Sequence, residues 1–427
     1  MDTALLFPSR SARRTPLKRR AFLTSAAALS LFVTEVFAAK KTSTASSSKK
    51  AKAATSKKKT TTRNKKPAVS AAPASQVRSA DMPVTERPPE GTSASRLPPV
   101  KPPELPNEWR TYEVVTRLAI PASDQPRRLW TPLPFSQDTL YQRTLGHRWE
   151  GNSQRAGMHR LPDAELEVFQ AEWVAGMAAE LTLTTYITTA DRHFDVTKRT
   201  VAPEREDILR RNLQSSQLIP NDGLAHQLGQ RIVGRVKDPV AQAKEVYDWV
   251  TETAIYDPSL PGCGTGDVHH QLITGQYGGK SADINGLFVA ICRAIGIPAR
   301  CVYGLRVGPS RLFRSLGLSS DDATSAQHVR AEFYIPGYGW IPVDPSDVRR
   351  AIGREGLSDQ DSRLNALKRV LFGVWEMNWI AFNVGSDISL PEQNKRQPFF
   401  LFPQFDGQPT ISNGTPPYRI TARPVLG

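Results

Sequence analysis

Between Asp283 and Ile295, the apolar residues Ile284, Leu287, Phe288, Ile291 and Ile295 recur every three or four positions, and Gly296-Ile297-Pro298 follows at once. That spacing predicts a helix with one continuous apolar stripe, stopped by glycine and proline. Such a stripe must be covered by another layer. The chain after it supplies candidates, since residues 300–307, 328–335 and 340–344 read as strands. Before it, residues 241–253 place Val246, Trp249 and Val250 at helical spacing. Helices followed by antiparallel strands predict an α+β domain over residues 201–350.

Upstream, residues 112–120, 165–169 and 180–188 have the composition of strands, with proline and glycine between them. Strands at that density predict a small β-sandwich over 108–200. Residues 351–427 are expected to be an extension packing on the α+β core. The chain has 427 residues and a net charge of +15, but +4 lies in residues 1–38 and +11 in residues 40–66. The remaining residues therefore carry no net charge, and no nucleic-acid partner is expected.

The two basic stretches differ in kind. Arg19 and Arg20 precede the apolar run 21–33, and Val36-Phe37-Ala38 fits a small-residue cleavage site. This predicts a twin-arginine-type signal over 1–38, a periplasmic or otherwise exported protein, and no stable membrane span once the signal is cut. Residues 40–66 are nearly all Lys, Ser, Thr and Ala, which cannot build a core. With the proline-rich stretch 67–107, they form an expected tail and linker over 39–107. The lysines suit salt-sensitive contact with an anionic envelope polymer.

Three segments carry candidate chemistry: Gly278–Asn285 at the start of the striped helix, Ala326–Tyr334, and Gly337–Pro345. Ser281 would stand at a helix N-terminus, where the dipole and unpaired N–H groups favour negative charge. His328 on a neighbouring strand could take its proton, and Asp344 on the next could orient the histidine. Gln276 is a candidate oxyanion donor.

The strands impose a register test. His328, Arg330, Glu332 and Tyr334 share one face, and the apolar Val329, Ala331, Phe333 and Ile335 share the other. A two-residue turn at Gly337-Tyr338 would set Asp344 opposite Ala331, on the wrong face. An odd-length turn or a bulge is needed, placing Asp344 opposite Arg330 or Glu332.

The run Leu287–Arg300, the His328-to-Tyr334 strand and Gly339-Trp340-Ile341-Pro342-Val343-Asp344-Pro345 occur in an order that resembles bacterial transglutaminase-like proteins of papain-like fold. Gly262–Asp267 and Trp375–Trp379 resemble the exported branch. The resemblance covers about 241–350 and implies a Cys-His-Asp triad acting on peptide or protein amides in the cell envelope, by hydrolysis or cross-linking. Here position 281, where that family keeps its cysteine, is Ser281. A hydroxyl cannot form the resting ion pair open to a thiol, so weak or absent activity is expected. Three readings follow: a binding scaffold without turnover, a working serine variant, or an altered nucleophile position in a chain whose parent has cysteine.

The other candidates are weaker. Cys292 and Cys301 are expected to be inert packing, and Cys263, between glycines, is the one alternative nucleophile. His269 and His270 are adjacent and chelate poorly, so no metal site is expected. Gly278-Gly279-Lys280-Ser281 echoes a phosphate loop but has Thr274 where that loop needs glycine. No cofactor is expected. Trp375 and Trp379 read as core aromatics.

Overall fold

A computed structural model describes residues 108–425 except 196, 198, 200, 359, 407 and 410–415. The expected signal, the lysine tract and most of the linker lie outside the described residues. Among those described, no helix is long and apolar enough to cross a membrane. The fold is α+β. A β-sandwich and a helix-on-sheet core share one hydrophobic cluster.

The sandwich is antiparallel throughout. One sheet has the order Tyr418–Pro424, Arg110–Ile120, Ala179–Thr189, Gln142–Gly151. The other contains Gln404–Phe405, Arg127–Leu133, Leu166–Trp173 and Arg155–Leu161 in that order, with Gln408–Pro409 at its edge. Side chains alternate between faces along a strand. Tyr112, Val114 and Leu118 of one strand therefore meet Leu181, Leu183 and Ile187 of its neighbour in the core.

The chain's end divides between the two halves. Trp379–Asn383 joins the sheet of the core, whereas Tyr418–Pro424 pairs with Arg110–Ile120 from Leu118↔Tyr418 to Tyr112↔Pro424. The sandwich is thus discontinuous in sequence, and residues after 350 are not one extension packed on the core. An open strand edge offers unpaired N–H and C=O groups to any strand. Local sequence does not say which strand takes them.

In the core, four antiparallel strands lie in the order Gly339–Val343, Gln327–Ile335, Ala299–Arg306, Trp379–Asn383. The central helix Ser281–Ala294 packs on this sheet, and all fourteen of its residues are buried. The helices Gly223–Val233, Pro239–Thr253 and Pro345–Glu355 cover its remaining sides. The apolar stripe was thus only one of its contact faces. Small residues make the others possible: a Cβ on Gly286 would stand 3.0 Å from Val268, so that side admits only glycine or a local shift.

Candidate active site

The N-terminus of the central helix is fixed by a carboxylate. Asp283 accepts from the Lys280 N–H at 2.8 Å, the Gly266 N–H at 2.8 Å, and the N–H and hydroxyl of Thr265 at 3.0 Å each. These bonds lash the loop 262–266 to the helix start, and the Ala282 N–H adds a bond to the Cys263 carbonyl. Gly264 has φ +97°, and a Cβ there would stand 1.8 Å from the Asp283 Oδ2. Both conformation and space require glycine. Burial raises the Asp283 carboxyl above its ordinary range, with the four bonds opposing.

Ser281 is the first helical residue, not the cap, which is Lys280. Its Oγ accepts from the Val329 N–H at 3.1 Å, which sets the hydroxyl beside the strand carrying His328. As an N1 residue, its own N–H has no intrahelical acceptor and can serve a developing oxyanion. Gln276 is exposed beyond the C-terminus of the helix Val268–Thr274 and does not line the cleft that holds Ser281. The oxyanion role expected for it is not supported. The glycine at 275 ends that helix in a left-handed turn and carries the following residue outward. The buried glutamine of this region is Gln271, which braces the Asp283 carbonyl and the Gly278 N–H.

The register requirement is met by a three-residue turn, Pro336-Gly337-Tyr338, between paired Ile335 and Gly339. Gly337 and Gly339 take φ +83° and +75°. The last pair, Ala331↔Val343, brings Asp344 level with Arg330 and therefore to the His328 face. His328 Nε2 lies 2.8 Å from Asp344 Oδ2.

Asp344 is fully buried and its other oxygen is saturated. Oδ1 accepts from the Ser346 hydroxyl at 2.7 Å, the Asn285 amide at 3.1 Å and the Asp347 N–H at 3.1 Å. The last of these caps the helix Pro345–Glu355. One carboxylate thus starts a helix and orients a histidine. Trp379 and Trp375 donate their indole N–H groups, at 3.1 Å each, to the carbonyls of His328 and Val343. They are buried, as expected of core aromatics, and they hold the backbone of both site strands.

His328 is 3% exposed and titrates well below the ordinary imidazole range. Burial is the main cause. Arg306, Arg330 and Arg350 push the same way, and Asp347 opposes them. A carboxylate only accepts, so the proton shared with Asp344 sits on Nε2. The neutral ring then carries its lone pair on Nδ1.

Sequence reasoning missed the surrounding polar frame. Asn285 lies one helical turn beyond Ser281 and ties the helix to Val329, Asp344 and Ser346. Its place four residues after Ser281, on the same helix face, was the available signal. Arg306 pairs with Asp347, both buried, and Asp347 Oδ1 is 3.6 Å from His328 Nε2. Arg330 Nε lies 3.6 Å from Asp344 Oδ2, and its guanidinium stacks over Trp379 at 4.7 Å.

The ligand atoms of His328, Asp344 and Asp347 fall within 4.8 Å of one another, a grouping that could hold a metal ion. Arg306 and Arg330 already supply the positive charge these carboxylates need, so the donor set fits a closed ion-pair network better than a metal. The three cysteines are free and buried. Burial pushes their thiols up, Cys301 to about 12. Cys263 lines the cleft but is 2% exposed, with a thiol too weakly acidic for a nucleophile.

Ser281 and His328 open onto a cleft of about 1790 Å³ between sandwich and core. Its walls include Arg117 and Arg419 from the sandwich, and Tyr256, Lys280 and Arg350 from the core.

Known proteins are similar to parts of this chain. The family model of the transglutaminase-like superfamily matches residues 226–345. An uncharacterized protein of Haemophilus influenzae is 32% identical over 311 residues, covering 69% of this chain and 82% of that protein. Among solved structures, a cysteine-protease candidate of Cytophaga hutchinsonii is 15% identical with a TM-score of 0.43, covering 74% of this chain and 99% of that one. The periplasmic domain of TgpA from Pseudomonas aeruginosa is 17% identical with a TM-score of 0.32, covering 60% and 92%.

Proposed function

The chain belongs to the transglutaminase-like superfamily, and from that premise we propose that it is an exported protein whose cleft binds peptide amides and turns them over weakly or not at all. The observation that carries this reading is a serine, Ser281, as the first residue of the central helix, with its hydroxyl held at 3.1 Å by the Val329 N–H beside a buried His328. Acyl transfer by this fold needs a nucleophile to attack the amide carbon. Its proton passes to the histidine and then to the leaving amine, and water or a second amine releases the acyl group. With cysteine at 281, the field of Arg306, Arg330 and Arg350 would favour a thiolate. With serine, that field cannot bring an aliphatic hydroxyl near neutral pH. It only weakens the base the hydroxyl depends on.

A second reading, an active serine enzyme, is favoured by the intact His328–Asp344 bond at 2.8 Å. One assay separates the two. Release of a fluorescent amine from peptide amides, and amine incorporation into protein glutamines, are measured for the native chain and for Ser281→Cys. The scaffold reading expects the native chain to be at least about 100-fold slower, the scale of a misplaced nucleophile. Equal rates would replace it with the serine enzyme. Absence of both turnover and peptide binding would remove the peptide cleft itself. Export rests on the Arg19-Arg20 leader, and contact with anionic envelope polymers rests on the lysine tract 40–66.

A further inference from the structure

Positive charge in the cleft is concentrated beside Ser281. The short parallel pairing Tyr256↔Gly279 brings Tyr256 next to Lys280. From the helix Pro345–Glu355, Arg350 and Arg354 both lie over the Tyr256 ring, with Cζ 5.7 and 5.8 Å from its centroid. Arg350 Nε donates to the Ser315 carbonyl at 2.7 Å and Nη1 to the Tyr256 hydroxyl at 2.9 Å, which leaves Nη2 uncommitted. Arg354 is exposed, and the Lys280 ammonium reaches only the Gly262 carbonyl at 3.3 Å.

Two arginines four residues apart on one helix repel each other, and burial with the nearby cations lowers the pKa of Arg350. Among the described residues, no carboxylate is in ion-pair contact with Lys280, Arg350 or Arg354, and Asp257 and Asp347 act on Lys280 and Arg350 only from farther away. By contrast, Arg306 has Asp347 and Arg419 has Asp322 at 3.6 Å. The body of the chain carries no net charge, so this concentration is local rather than a reflection of general basicity.

We propose that Lys280, Arg350 and Arg354 form an anion subsite that takes a carboxylate of an acidic peptide, adjacent to the point where an acyl group would meet Ser281. The proposal rests on reading the cleft as a peptide site and names the class of peptide. Two guanidinium groups held by one ring suit the planar, two-oxygen geometry of a carboxylate. Lys280 adds a mobile point charge on the Ser281 side.

The test uses the full chain and two labelled decapeptides of the same sequence, one with glutamates and one with glutamines at the same positions. Binding is read by fluorescence anisotropy at fixed salt. The glutamate peptide should bind at least 10-fold more tightly. Because the lysine tract 40–66 also attracts acids, the deciding comparison is with Lys280→Gln and Arg354→Gln, both of which keep the tract. Each should cut the glutamate advantage at least threefold, with melting temperature unchanged. If the glutamine peptide binds equally well, the subsite is overturned while the peptide cleft stands. If the advantage persists in both variants, the attraction belongs to the tail and the subsite is overturned. If neither peptide binds, the peptide reading fails and the subsite with it. Tripolyphosphate serves as a third probe. Tighter binding of it than of the glutamate peptide, lost in both variants, would overturn the carboxylate assignment in favour of phosphate.

Discussion

Asn285 donates its side-chain amide to Asp344 at 3.1 Å and to the Val329 carbonyl at 2.7 Å, joining the central helix to both strands that carry the site. It is fully buried, and its carbonyl oxygen receives the Ser346 N–H at 3.4 Å. The helix that presents Ser281 and the strands that present His328 and Asp344 are therefore registered by one residue that takes no part in proton transfer.

Asn285→Ala should cost about 1–3 kcal/mol, because it strands a buried carbonyl and removes one donor from a buried carboxylate. Urea denaturation of the native and variant chains measures this. Asn285→Asp should cost more, since it sets a second carboxylate against Asp344. An alanine variant as stable as the native chain would show that the amide does not register helix and sheet.

The depressed His328 pKa makes stability depend on pH in a definite direction. The unfolded imidazole takes up a proton near pH ~6.5, whereas the folded ring stays neutral to well below that. Below about pH 6.5 the unfolded state holds the extra proton, so stability is full above that pH and falls as pH drops. The loss continues down to the folded pKa. Between pH 7.5 and 5.5 this one group should remove on the order of 1 kcal/mol. In His328→Asn that contribution should vanish. Urea midpoints of both chains at the two pH values check it, and an identical acid loss in both would exonerate His328.

Gly264→Ala should be among the most damaging substitutions of a single methyl. The new Cβ would stand 1.8 Å from the Asp283 carboxylate at a backbone φ of +97°. Strain at such a φ costs about 1–3 kcal/mol, and displacing Asp283 breaks the bonds that hold the helix start. Thermal melting should show a large fall. Gly157→Ala is the control, because a Cβ there meets nothing within 4 Å. Equal melting of the two variants would mean that the Asp283 clamp is dispensable.

Much of the core was legible because its signals are local. The apolar spacing of Ile284, Leu287, Phe288 and Ile291 is a property of 3.6-residue periodicity, and the helix lies where it was expected. The hairpin register could be argued from face alternation alone, and the three-residue turn at Pro336–Tyr338 satisfies it. Gln276 misled because five residues of separation say nothing about direction once Gly275 ends a helix between them.

What lay beyond reach was set by contacts between distant parts of the chain. One of the two partners of the strand Arg110–Ile120 lies some three hundred residues away, at Tyr418–Pro424. The arginines around His328 come from separate strands and a helix, and burial, reinforced by their convergence, makes the imidazole a weak base. The amino-acid sequence by itself determined the central helix, the faces of its strands and the serine at position 281, because periodicity and residue identity are written locally. Only the tertiary structure decided that Arg306, Arg330 and Arg350 converge on a buried His328, since charge acts through space and the distances are created by folding.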